Sequence, residues 1–302
     1  MRAIVARGLA LGLVAGIAAH ALAAARGPSL RPLFGHSESV LVEPGDTLLD
    51  IAFRHRVGYQ AVERMNPELD PWIPVPGTVA QLPTRMILPD TQEQGLVINL
   101  PEMRLYDFTV KGGPEVFALA VGDEASPSLL GEFVVGAKRK NPAWHVPASI
   151  REEKPELPAE VPPGPDNPLG SRWLTIGHTT YGIHGTNVRW SIGREATHGC
   201  LRLYEDEIQR LYDRVREGTR LQILYQTAKW GRDEDHIYLE VHPDLYGLRR
   251  DRLSALEVPR ALGLLGALDL ELVLSALEEA RGVPIAVGTF PAANLPTSTP
   301  TS

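Results

Sequence analysis

The chain of 302 residues contains one cysteine, Cys200, set among glycines and histidines: residues 181–203 read YGIHGTNVRWSIGREATHGCLRL. A cysteine attacks only as its thiolate, and a free thiol near pKa 8.5 needs a base or a cation beside it. His184 stands fourteen residues before His198, which is two before Cys200. Either imidazole becomes that partner once strands expected over 180–184 and 200–203 lie side by side. A thiol paired with an imidazole is the minimum equipment for acyl transfer. The amides of His198, Gly199 and Cys200 are candidates to hold the oxyanion of a tetrahedral intermediate, a contribution of about 3 kcal/mol per donor. Glycines 182, 185, 193 and 199 let the backbone approach a substrate and point amides into a site.

Blander readings compete. His184, His198 and Cys200 with a fourth ligand from His236 or His242 would make a zinc site, but glycine-rich surroundings without carboxylates favour an oxyanion site, so no metal or organic cofactor is expected. A lone cysteine is also compatible with an inert buried side chain. Trp173 and Trp190 read as packing residues, His236 and His242 as structural, and Arg194 and Arg202 are compatible with an ordinary surface.

The elements that must position these groups sit in an acidic, exported chain. A formal charge of −7 argues against nucleic acid as a partner, and a hydrophobic share of 43 % supports a real core. One cysteine excludes an internal disulfide framework. Residues 1–23 carry Arg2 and Arg7, then an apolar run closing on Ala21-Leu22-Ala23. This reads as a secretory signal peptide, with an uncleaved anchor as the alternative.

Residues 24–38 read as a linker. The unit over 39–90 predicts strand, helix, helix, strand, with Thr47 as a cap and Leu48, Ile51 and Ala52 at helical spacing. From residue 95 to 226 short alternating runs predict a mainly β domain. A stretch of about thirty residues after Lys140 has no periodicity and holds eight prolines; a loop that long inside a compact domain reads as a substrate lid. A helix is predicted over 205–217, from Ile208, Leu211, Tyr212 and Val215, and Gly218 ends it. Residues 227–290 predict one strand followed by a mostly helical extension capped at Asp269. Residues 291–302, Pro/Thr/Ser-rich and uncharged, predict a disordered tail.

His184-Gly185-Thr186, Ser191-Ile192-Gly193 and residues 197–203 (THGCLRL) resemble the signature of the L,D-transpeptidase, or YkuD-type, catalytic domain. Residues 141–144 (NPAW) and 161–170 (VPPGPDNPLG) are similar to the proline-rich loop of its Gram-negative periplasmic branch. The 39–90 unit, with Gly45-Asp46-Thr47-Leu48 and Asn66-Pro67, resembles a LysM domain, although 78–89 is longer and less regular than the usual closing strand. The resemblance spans about residues 39–246. It implies an α+β, mainly β fold: a YkuD-like β-sandwich preceded by a small βααβ LysM-like domain and followed by a helical C-terminal segment. It implies Cys200 as nucleophile and His184 as general base, its tautomer set by the Gly185 carbonyl. His198 and Gly199 would frame the nucleophile, and Arg202, Thr197 and Trp144 would meet substrate, Thr197 standing where serine is usual. The implied substrate is the tetrapeptide stem of peptidoglycan, attacked at the L-centre carbonyl of diaminopimelate with loss of D-alanine. The acceptor would be another stem or a lysine of an outer-membrane lipoprotein, in the periplasm. Alternatives are an L,D-carboxypeptidase, with water as acceptor, and a non-catalytic protein that binds the wall through its LysM-like unit.

Overall fold

Short runs of apolar residues, alternating in some and buried throughout in others, build the strands of the main domain. The computed structural model describes residues 28–249 and 251–290; the signal-peptide and tail readings, over 1–23 and 291–302, lie outside them. No helix among the described residues is long and apolar enough to cross a membrane.

The central element is an eight-stranded mixed sheet. Its order runs Leu201–Arg202, Gly182–His184, Arg172–Ile176, Gly131–Lys140, Arg220–Leu224, Leu96–Asn99, Arg104–Asp107 and Glu115–Ala118. Alternation along Arg220–Leu224 puts Leu221 and Ile223 inside, where they meet Leu96, Ile98, Leu105 and Phe117. The helix Glu205–Arg214 lays Ile208 and Leu211 on the same core. It ends before the expected 217, because Val215 turns to an extended conformation and is itself buried.

The N-terminal unit has strands Glu38–Leu41 and Val79–Leu82 paired antiparallel, with helices Leu48–Arg54 and Tyr59–Met65 between them. Thr47 caps the first helix reciprocally: its hydroxyl accepts from the Asp50 amide at 3.0 Å and its amide donates to the Asp50 carboxylate at 3.3 Å. Asn66 is buried and bridges helix to strand, its side chain taking the Gln81 amide at 2.7 Å and donating to the Val62 and Gln81 carbonyls.

Three sequence expectations are corrected. The supposed linker contains a strand, Arg31–Phe34, which pairs with Met86–Ile87 on one side and Ala228–Asp233 on the other. Pro32 and the nearby glycine masked a strand whose only reward is tertiary pairing. The C-terminal block adds three strands rather than one, Ala228–Asp233, His236–Val241 and Ile285–Thr289, to make a five-stranded sheet. Its helical content is confined to short turns and the helix Leu270–Glu279, capped by Asp269 through the amides of Glu271 and Leu272. The proline-rich loop is not structureless: it holds a ribbon, Trp144–His145 against Glu160–Val161, and a one-and-a-half-turn helix, Ala148–Glu153.

A buried ionic knot joins the two sheets. Lys229 Nζ lies 2.8 Å from Glu102 and 3.1 Å from Glu240, Arg104 also reaches both carboxylates, and His242 Nε2 lies 2.8 Å from Glu240. Burial alone would raise both carboxyl pKa values, but Lys229 and the other cations hold them below the ordinary range. Removing one partner would leave a buried charge unmatched.

Candidate active site

Cys200 and His184 are brought together by a parallel pairing in which Ile183 faces Leu201 and His184 faces Arg202. The next step of the ladder, the Leu203 amide on the His184 carbonyl at 2.9 Å, extends it. The expected side-by-side strands therefore form, at the edge of the large sheet.

His184 is almost wholly buried and lies flat against Trp173, with ring centroids 5.5 Å apart and planes at 15°. Gly182 makes this possible, because a Cβ there would fall 2.4 Å from the Trp173 ring. His184 Nδ1 sits 2.6 Å from the Gly185 carbonyl. That contact places a proton on Nδ1 and leaves Nε2 as the basic nitrogen. Burial and then the Arg202 charge push the His184 pKa down to about 3, against the carbonyls of Gly185 and Leu169, which face the ring. Gly185 packs close to the helix Glu205–Arg214: a Cβ would lie 2.1 Å from Glu205 Oε2, so a larger residue would have to displace that carboxylate.

Cys200 is half-buried and unpaired with any other thiol. Burial pushes its pKa up, opposed by the Gly182 amide and by Arg202. Imidazole and thiol thus both rest neutral. Arg202 acts on them in opposite senses, favouring thiolate at Cys200 and disfavouring imidazolium at His184. Its backbone exchanges hydrogen bonds with Ala120 at 2.9 and 3.1 Å, and its Nε is buried without a partner.

The turn before Cys200 is tightly determined. Gly199 has φ +97°, and a Cβ would meet the Tyr181 ring at 2.6 Å. The Thr197 hydroxyl donates to the Cys200 carbonyl at 2.6 Å and accepts the Gly199 amide at 3.2 Å. Two expectations change accordingly. Both functions of the Thr197 hydroxyl are spent inside the turn, so it shapes the backbone at Cys200 rather than meeting substrate. The Gly199 amide is engaged too, which narrows the candidate oxyanion donors to the amides of His198 and Cys200.

His198, the other candidate partner of the thiol, has its Nε2 3.0 Å from Glu153, on the helix Ala148–Glu153 of the proline-rich loop. Trp144 stands half-buried on the lid ribbon, opposite Val161. His236 is exposed beside Asp235 and His242 belongs to the ionic knot, so neither joins the motif histidines. Among the described residues, the one grouping with metal-ligand spacing is Glu102, Glu240 and His242, where Lys229 already supplies the countercharge.

Asn167 escaped the sequence reading. It is 1 % exposed, donates to the carbonyls of Pro142, Val161 and Pro162 at 2.9–3.2 Å, and accepts the Leu169 amide at 2.9 Å. One side chain therefore ties both ends of the lid to the residue whose carbonyl faces His184. An Asn between two prolines of a proline-rich loop was the available signal, since such a side chain serves backbone groups that prolines leave unpaired.

A family model for the L,D-transpeptidase catalytic domain, YkuD, matches residues 93–223. The probable L,D-transpeptidase ErfK/SrfK of Escherichia coli (strain K12) is 34 % identical over 274 residues, 85 % of this chain and 88 % of that protein. The probable L,D-transpeptidase YbiS of the same strain is 37 % identical over 224 residues, 70 % of this chain and 72 % of that one. Among solved structures, an L,D-transpeptidase from Mycobacterium smegmatis aligns at 16 % identity and TM-score 0.35, over 49 % of this chain and 63 % of that one.

Proposed function

The chain belongs to the L,D-transpeptidase family and is an L,D-transpeptidase, and from that premise we propose that it works through a Cys200 thioester on peptidoglycan tetrapeptide stems in the periplasm. The observation that carries this reading is the register placing His184, its Nδ1 on the Gly185 carbonyl, against the strand that follows Cys200.

Cys200 Sγ attacks the L-centre carbonyl of diaminopimelate while Nε2 of His184 takes the thiol proton. The C–S bond forms, and the carbonyl electrons move onto an oxygen held by the amides of His198 and Cys200. An imidazolium crowded by burial and by Arg202 is a strong acid, so it gives its proton readily to the departing D-alanine nitrogen as the C–N bond breaks. The thioester is then attacked by an amine, whose proton returns through His184 to the cysteine. The lid, with Trp144 on its ribbon, would cover the donor peptide and exclude water, which favours an amine acceptor.

Two amines fit as acceptor: the side-chain amine of a second diaminopimelate, giving a direct cross-link, or a lysine of an outer-membrane lipoprotein. The βααβ unit would hold glycan strands, a role supported by its order of elements and by the resemblance of residues 39–90 to a LysM domain. The test is incubation of the purified chain with disaccharide-tetrapeptide and separation of the products. Cross-linked dimers support transpeptidation, tripeptide alone identifies a carboxypeptidase, and unchanged substrate leaves wall binding as the activity. Muropeptides of cells lacking the protein then show whether cross-links or lipoprotein attachment is lost.

A further inference from the structure

A cavity of about 360 Å3 lies between the βααβ unit and the large sheet, and neither Cys200 nor His184 lines it. That volume is within the size of small-molecule sites, roughly 300–1,000 Å3. Its two walls carry unmatched polar groups of opposite type.

On one wall is Arg64, from the helix Tyr59–Met65. Its Nε is buried without a partner, and its nearest side-chain acceptor is Gln60 Oε1 at 3.5 Å. Glu63 and Glu195 feel its charge only at longer range, and no carboxylate among the described residues pairs with it; burial and the neighbouring Arg104 push its pKa down to about 10. Arg104 is itself matched by Glu102 and Glu240.

On the other wall is Glu207, from the helix Glu205–Arg214, 2 % exposed. Its Oε1 reaches Arg210 only at 3.9 Å, and its Oε2 is buried without a partner. Burial, Asp206 and Glu115 raise this carboxyl to about 8, against Arg210 and Arg56. The rest of the lining mixes apolar Phe34, Met86 and Val116 with polar His55, Arg56 and Arg210, the two arginines lying on the Glu207 side.

A bare anion would answer Arg64 but face the Glu207 carboxyl, and a bare cation would face Arg64. A molecule carrying both charges offers each group a partner, its ammonium drawing the raised Glu207 carboxyl back to the ionised form. We infer that this cavity is a second ligand site for a zwitterion of amino-acid or short-peptide type, its carboxylate on Arg64 and its ammonium on Glu207. The inference stands on the cavity alone and does not depend on how the Cys200 site works.

Calorimetric titration of the full chain carrying Cys200→Ala, which removes the thiol chemistry, provides the test. Alanine and alanyl-alanine are the zwitterionic probes, with acetate and ethylammonium as single-charge controls. The inference expects saturable one-to-one binding of at least one zwitterion, with both controls about tenfold weaker or more. Arg64→Gln and Glu207→Gln should each weaken binding by about tenfold, while Arg64→Lys, which keeps the charge, should retain most of it and show that the site still folds. No saturation by either zwitterion up to about 20 mM overturns it. So does acetate binding as tightly as the zwitterions, or affinity unchanged in both neutral variants.

Discussion

Thr197 and Cys200 are joined across the turn by a 2.6 Å hydrogen bond from the Thr197 hydroxyl to the Cys200 carbonyl. The same oxygen takes the Gly199 amide. Thr197→Val keeps the shape but strands the Gly199 amide and the Cys200 carbonyl, an expected loss of about 1–3 kcal/mol in turn stability or transition-state binding. Acylation rates should fall about 10- to 100-fold. Thr197→Ser, which keeps the hydroxyl, should stay near the parent rate.

Gly199 is held at φ +97° with the Tyr181 ring where a Cβ would go. Gly199→Ala should therefore destabilise the chain by about 1–3 kcal/mol, measured by urea unfolding, and abolish most acylation. A control at Gly112, which has φ +88° but open space around it, separates strain from collision: Gly112→Ala should cost only the backbone part.

Burial favours the neutral imidazole, so the His184 pKa moves down to about 3 and its basic form persists as pH falls. The Cys200 pKa moves up, so the thiol stays protonated through neutral pH. The acylation rate should accordingly be nearly flat from about pH 5 to 8, with no limb at the ordinary histidine value of about 6.5. An unperturbed imidazole would give a fall below about 6.5; burial of the ring against Trp173 removes it. A stopped-flow profile of acylation settles it: a single limb centred near 6.5 would contradict the structural reading.

Asn167→Ala removes the two N–H groups shared among three loop carbonyls and the one acceptor for Leu169. The expected result is a stability loss of about 1–3 kcal/mol. Limited proteolysis should become faster within 141–171, and acylation should slow because the Leu169 carbonyl faces His184.

What the sequence made legible was chemistry that is local along the chain. The Thr47 and Asp269 caps depend only on near neighbours, and both form. What it hid depends on distant partners. Arg31–Phe34 is a strand only because Ala228–Asp233 and Met86–Ile87 are there to pair with it. The Glu102–Lys229–Glu240 knot brings Glu102 onto a cross-strand Lys229–Glu240 pair more than 120 residues away in the chain, and no spacing rule marks it. His198 and His184 were interchangeable as partners for Cys200 on sequence spacing. Geometry separates them, one buried behind Trp173 and one turned to Glu153 on the lid.

The most direct measurement is intact mass of the protein, acid-quenched during incubation with disaccharide-tetrapeptide. The account predicts an adduct equal to the donor less its terminal D-alanine, mapped by digestion to Cys200, and absent from Cys200→Ala. Turnover of the tetrapeptide with the thiol demonstrably free throughout, or an equal adduct on Cys200→Ala, would contradict it.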